Sequence, residues 1–246
     1  MDELKKLDEF KKIVEGSDNI VFFGGAGVST ESNIPDFRSA SGLYSASQKA
    51  SYPPEVMLSH SFFIKHPEEF YEFYKSKMVY RDAKPNAAHI ALAKLEEQGK
   101  LKAVITQNID GLHQAAGSKN VLELHGSIHR NYCMKCGQHY DLDYVMDSKE
   151  LVPKCEKCGG MVRPDVVLYE ESLDVDVLYR SIHYVSNADV LIVGGTSLVV
   201  YPAAGLVDYY KGDKLILINK TSTPYDYKAN IVIHDSIGKV LSYVVG

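Results

Sequence analysis

Two C-x-x-C pairs, Cys133 with Cys136 and Cys155 with Cys158, have 18 residues between them and use every cysteine of the chain. This spacing lets two tight knuckles deliver four thiolates to one tetrahedral ion, which makes zinc the expected metal and a zinc ribbon the expected local fold. Gly137 and Gly159-Gly160 directly follow the pairs, where the backbone must turn sharply to aim both sulfurs inward. Four protein ligands leave no coordination position for a reacting water, so this metal is expected to support folding, and the chemistry must lie elsewhere. Redox-active thiols and core cysteines are the competing readings of the same residues.

The ribbon is a small part of 246 residues, a length that allows one large α/β domain with an insertion or two modest domains. A formal net charge of −5, from 27 Lys and Arg against 32 Asp and Glu, opposes general attraction to nucleic acid or to an anionic membrane. Residues 128–165 carry six basic and six acidic side chains, so the ribbon itself offers no excess of positive charge for nucleic acid. No apolar run approaches the roughly 18 residues of a membrane-spanning helix, and the opening MDELKKLDEFKK lacks a signal peptide's apolar core. A cytoplasmic protein is expected, in a reducing compartment where paired cysteines favour metal over disulfide.

Around the ribbon the chain alternates between two periods. Leu4, Leu7, Phe10, Ile13 and Val14 fall at helical spacing, and Asn19 to Phe23 is a short apolar run delivered into Gly24-Gly25-Ala26-Gly27. Further short runs occur at 103–106, 121–124, 166–168, 190–193, 215–218 and 231–233, mostly separated by helix-length segments, which is the pattern of a Rossmann-like open parallel sheet. The expected division is a nucleotide-binding domain from 1–30, 86–127 and 165–246, a loop and helical module at 31–85, and the zinc ribbon at 128–164.

The loop after the first run, Gly24 to Thr30, offers backbone N–H groups and a hydroxyl to a phosphate. Thr30 stands where a dehydrogenase fingerprint asks for its third glycine, and no strand ending in an acid follows about 20 residues later. A tight strand turn without a ligand is the alternative. Ile34-Pro35-Asp36-Phe37-Arg38, Thr106 to His113, Leu124-His125-Gly126 and Gly195 to Leu198 lie where strands or glycine loops end, and in an open α/β sheet such ends converge on the ligand crevice.

Taken in order, GAGVS, IPDFR, TQNIDGLH, LHG, the two C-x-x-C pairs, RPDVV, GTSLVVYPAA and LIN resemble the sirtuins, the NAD-dependent protein deacylases of the silent-information-regulator family. The resemblance runs from about residue 18 to 240. It implies that Gly25, Ala26, Gly27 and Ser29 meet the NAD pyrophosphate region with Gly195, Thr196 and Ser197 across the cleft, and that Asn219 meets the adenine ribose. Phe37 would cover the reacting ribose, on a cofactor loop shared with Arg38. Gln107 and Asn108 would orient the nicotinamide ribose, Asp110 would accept from the carboxamide, and Ile34 and Ile109 would wall that pocket. Plainer readings stand beside these: Asp110 as a turn cap, Asn108 as a strand end, the isoleucines as core.

His125 matches the family's general base, which implies that the acyl-lysine oxygen attacks the ribose carbon, nicotinamide leaves, and the imidazole then helps deprotonate a ribose hydroxyl. An imidazole with an ordinary pKa near 6.5 suits that step. Val167 resembles the residue whose carbonyl receives the substrate lysine amide, and the peptide would lie between it and the loop carrying Leu198 and Val199. Where the family usually reads Phe-Gly-Glu, this chain has Tyr169, Glu170 and Glu171, which puts the peptide's register and sequence preference in question. Sirtuins that favour acidic acyl groups share a Tyr-x-x-Arg pair; here the candidates are Tyr74 and Lys77, and the expectation is acetyl over succinyl. The implied activity is deacylation of protein lysine with NAD consumed as co-substrate and zinc structural. Mono-ADP-ribosyl transfer, hydride transfer, and a zinc-ribbon nucleotide sensor or nucleic-acid binder without turnover are the alternatives.

Overall fold

The computed structural model describes residues 3–37, 39, 42 and 52–246. Its strands, in chain order, are β1 (Ile20–Gly24), β2 (Leu101–Thr106), β3 (Val121–Glu123), β4 (Gly126–Cys133), β5 (His139–Tyr140), β6 (Val162–Val166), β7 (Val190–Gly194), β8 (Leu215–Ile218) and β9 (Ile231–Ile233). Six of them form one parallel sheet in the order β3-β2-β1-β7-β8-β9. The order reverses between β1 and β7, so their carboxyl ends open a crevice for a ligand.

Alternation explains why β1 and β7 are buried along their whole length. Ile20 and Phe22 face the helices Glu3–Glu15, Ala87–Glu97 and Ile237–Val245, where they pack with Phe10, Leu92 and Leu241. Val21 and Phe23 face the other side, with Leu191, Val193 and Val185 of the helix Val175–Asn187. Each fully buried ring of this kind contributes about 1.5–3 kcal/mol.

His89 and His113 lie under the first of these layers, their rings 4.7 Å apart, and Phe22 closes the pocket 6.1 Å from His113. The His89 Nδ1 accepts from the Asn86 N–H at the helix start, whereas the His89 Nε2 and both His113 nitrogens are buried with no partner among the described residues. Burial pushes His89 down to about 4, opposed by the Asp110 charge, and burial with His89 alongside pushes His113 down to about 3.

A second, antiparallel sheet β5-β4-β6 carries the cysteine segment. The run 166–168, expected to add a strand to the parallel sheet, belongs here instead: β6 pairs antiparallel with β4, and Val166 and Leu168 face a third core. Three apolar residues cannot reveal which sheet they join, and the choice is made by the turn after β3 that sends β4 toward the cysteines. The expected cuts at 127/128 and 164/165 therefore fall inside β4 and β6. The third core joins the ribbon to the helices Pro54–Met57, His60–Lys65 and Pro67–Phe73, stacking Phe63, Phe70, Tyr71 and Tyr74 against Val162, Cys133 and Cys155.

Candidate active site

At the switch point the loops after β1 and β7 interlock. Gly25 and Gly27 donate to the Gly194 and Gly195 carbonyls at 3.2 and 2.8 Å. A Cβ on Gly27 would stand 2.7 Å from the Gly195 Cα, and one on Gly25 2.8 Å from the Thr196 Cβ. The glycines are thus demanded by the packing of one loop into the other, besides any approach to a ligand. Short turns, Ala26–Val28 and Thr30–Ser32, follow in place of a long helix. The Ala26 N–H is the amide of residues 25–28 that has no backbone acceptor among the described residues.

Ser29 is a buried hub. Its hydroxyl donates to the Asp110 Oδ2 at 2.6 Å and accepts from the Asn108 Nδ2 at 3.0 Å, while the Asp110 Oδ1 accepts from the Leu112 N–H at 2.9 Å. The capping role and the pocket role of Asp110 therefore coexist, on different oxygens. Across the crevice the Gln107 Nε2 donates to the Thr196 Oγ1 at 3.0 Å, which also accepts from the Leu198 N–H at 3.2 Å.

His125 stands in the turn after β3 with its Nδ1 3.0 Å from the Gln107 carbonyl. That oxygen can only accept, so Nδ1 carries the proton and Nε2 keeps its lone pair. Burial lowers its pKa, against a smaller upward pull from the Gln107 carbonyl, and the ring is neutral at pH 7. The His125 carbonyl in turn accepts from the Val167 N–H at 3.0 Å, while nothing among the described residues donates to the Val167 carbonyl.

These groups line one cavity of about 960 Å³. It gathers Gly25, Ala26, Gly27, Ser29, Ile34, Phe37, Gln107, Asn108, Ile109, Asp110, His125, Val167, Gly195, Thr196, Ser197 and Asn219, which are distant in sequence. Arg38 lies outside the described residues. Leu198 is not among the lining groups: its side chain is buried in the sheet core and its φ is 54°, so its backbone is what it can offer a substrate. Val199 is also not among the lining groups and is 47% exposed. Tyr74 and Lys77 both line the cavity, the tyrosine buried with no partner for its hydroxyl among the described residues and the lysine exposed.

Sequence reasoning missed Asp235, Ser236 and Ile237 in the wall, although they follow β9 and the rule about carboxyl ends of strands reaches them. It also left Tyr201 without a role, although that residue stands inside the GTSLVVYPAA run.

Away from the cavity, the four cysteine sulfurs lie within 4.8 Å of one another, with Cys133 to Cys158 at 3.5 Å and Cys136 to Cys155 at 3.6 Å. A tetrahedral zinc with bonds of about 2.3 Å sets its sulfurs about 3.8 Å apart, so the cluster fits that ion. The Gly137 and Gly159 N–H groups fold back onto the Cys133 and Cys155 carbonyls at 2.9 and 2.8 Å, forming two equivalent knuckles. The Tyr140 hydroxyl donates to the Cys155 sulfur at 3.1 Å, the kind of outer contact that steadies a thiolate ligand.

A sequence model of the Sir2 family matches residues 25–202. An NAD-dependent protein deacetylase of Clostridium acetobutylicum is 69% identical over 242 residues, covering 98% of this chain and 99% of that one. A Sir2 structure with a deacetylated p53 peptide and 3′-O-acetyl ADP-ribose superposes with a TM-score of 0.88 at 41% identity, covering 97% and 96% of the two chains. Another, of Sir2 with a p53 peptide and NAD+, gives 0.85 at 42% identity over the same shares.

Proposed function

The chain belongs to the Sir2 family, and from that premise we propose that its cavity removes acyl groups from protein lysines with NAD as co-substrate and His125 as general base. The NAD supplies a ribose carbon bearing a leaving group, so that acyl-lysine, NAD and water become free lysine, nicotinamide and O-acyl-ADP-ribose. The observation that carries the reading is the bond between the His125 Nδ1 and the Gln107 carbonyl, which fixes the tautomer and leaves a basic Nε2 in a neutral ring. Such a base accepts a ribose hydroxyl proton at neutral pH, a contribution of about 10²- to 10⁴-fold.

The other residues bind and orient. Gly25, Ala26, Gly27 and the Gly195 to Ser197 loop hold the pyrophosphate, with Asn219 on the adenine ribose. Asn108, held by Ser29, and Gln107, held by Thr196, position the second ribose, and the Asp110 carboxylate receives the carboxamide of nicotinamide between Ile34 and Ile109. Phe37, on the cofactor loop it shares with Arg38, covers the reacting carbon and excludes water. The Val167 carbonyl accepts the substrate lysine amide, and the peptide pairs with the Leu198–Val199 backbone opposite. The cysteine cluster holds zinc and takes no part in the chemistry.

No helix among the described residues is long and apolar enough to cross a membrane. We place the protein in the cytoplasm because its four cysteines are unbridged, as a reducing compartment would keep them. The test is a single reaction of protein, NAD and an acetyl-lysine peptide, following nicotinamide and peptide mass together. Nicotinamide released in step with loss of the acetyl mass is expected. A gain of ADP-ribose mass on the peptide, or a change in nicotinamide absorbance from hydride transfer, would contradict it.

A further inference from the structure

Just beyond Val167 the backbone adopts a conformation foreign to its side chain: Glu170 has φ 75°, in the left-handed region that favours glycine. Among the described non-glycine residues Asn33 and Leu198 share this trait, and both sit in loops that border the cavity. Such strain persists where surrounding contacts over-determine it. Here the Tyr169 N–H donates to the Leu58 carbonyl and the Tyr169 carbonyl accepts from the His60 N–H, both at 3.0 Å. The Glu170 Oε2 accepts from the Ser61 N–H at 2.8 Å. Behind the turn, Glu171 is gripped by the buried Arg163 through both oxygens, at 2.8 and 3.1 Å, and by His60 at 2.8 Å.

Glu170 is therefore fixed on the helix His60–Lys65, where Ser61 holds its carboxylate through both its N–H and its side chain. The hydrogen bonds from Ser61, helped by the nearby His60 and Lys65, hold its carboxyl below the ordinary range, so it is ionised at neutral pH. No lysine or arginine among the described residues pairs with it. Glu170 lines the cavity with Val167 and also a shallower groove that continues past Val56, Phe62 and Lys65. Neither its N–H nor its carbonyl has a backbone partner among the described residues, so the edge remains open for pairing with an extended chain. A charge already held in place loses little freedom on binding.

We propose that Glu170 is a specificity-determining residue of the deacylation reaction, selecting substrates that carry a lysine or arginine a few residues from the acyl-lysine. This rests on the reading of Val167 as the acceptor for the acyl-lysine amide. Three residues separate the two positions, and because Leu168 to Glu171 closes a turn through the Glu171 N–H to Leu168 carbonyl bond, the separation is at most about 10 Å, which places the selected side chain within about two to three residues of the acyl-lysine.

The experiment uses acetyl-lysine peptides in which Arg, Ala or Glu occupies each of the four positions on either side, with kcat/KM read from nicotinamide release and confirmed by peptide mass. Arg should exceed Glu by roughly 5- to 10-fold at one or two adjacent positions, through KM more than kcat, with the difference shrinking as salt rises. Glu170→Gln retains an acceptor for Ser61 and should bring the ratio within about twofold, and Glu170→Lys should reverse it. Equal rates at every position, or a preference that survives in Glu170→Gln, would overturn the proposal alone. No nicotinamide from the alanine peptide would overturn the proposed function and this proposal with it.

Discussion

The two halves that meet at the cavity are built by different physics. One is the parallel sheet, whose strands are short runs of apolar residues buried on both faces and whose working loops are glycines locked into each other. The other is the ribbon with its helices, where aromatic rings pack around cysteines and β4 and β6 are held to a metal site by two knuckles. The sheet half shows no metal cluster among its described residues, and it carries most of the groups that would bind NAD, while Phe37 and Ile109 pack on the third core. The ribbon half depends on zinc, and its strand β6 leads into Val167, which packs on the sheet core, and Glu170, where the substrate peptide would lie. Cofactor recognition and substrate recognition thus rest on separable foundations.

Removing zinc should have the largest effect, because a structural zinc contributes on the order of 10 kcal/mol to the fold that binds it. In Cys133→Ala, hydrogen exchange should show residues 126–166 and 54–78 losing protection while β1 and β7 keep theirs, with zinc and deacetylation lost together. A zinc-free variant that remains stable and fully active would refute the division.

Acid attacks the sheet half through His89 and His113. Unfolded, both imidazoles take up protons near pH 6.5; folded, they stay neutral until about pH 4 and about pH 3. Stability is therefore insensitive to these groups above pH 6.5 and falls below it, by up to about 1.4 kcal/mol per pH unit for each ring. Urea unfolding at pH 7.0 and 5.0 should show the loss, and His113→Phe, which keeps a ring beside Phe22, should lose about half as much. An equal loss in both proteins would mean that other groups titrate.

How each half could be read in the sequence follows from the same contrast. Val21 and Phe23, or Val190 to Val193, announce a buried strand by local composition alone, and the loop after each strand end is placed by rule. Gly25 and Gly27 were legible as a ligand loop, but their fit against Gly195 and Thr196 joins residues about 170 positions apart, and no local pattern encodes it. In the other half the cysteine spacing gave away the metal, yet the run 166–168 pointed to the wrong sheet because three apolar residues carry no partner information. Leu198, expected at the substrate, has its side chain in the sheet core and a positive φ, which leaves its backbone for that role.

Gly27→Ala should have a smaller effect, confined to the sheet half. Its Cβ would meet Gly195 backbone atoms at 2.7 and 2.9 Å, and the forced shift should cost about 1–3 kcal/mol of stability and weaken NAD binding while zinc content stays at one per chain. A variant with unchanged stability and NAD affinity would show that the interlock has slack. The smallest effect expected is on acyl choice. Tyr74 is buried and Lys77 exposed, and a flexible, hydrated ammonium offers a distal carboxylate less than an arginine fork does, so matched peptides should give a higher kcat/KM for acetyl than for succinyl. The reverse order would assign Lys77, or another cation in the wall, to the acyl end.

Turnover of His125→Ala with NAD and an acetyl-lysine peptide tests whether the neutral His125 held by the Gln107 carbonyl is the base. The variant should fold, retain zinc and bind the peptide, but lose deacetylation by at least about 100-fold. Deacetylation within a few-fold of the parent protein would contradict the account and assign the base elsewhere in the cavity.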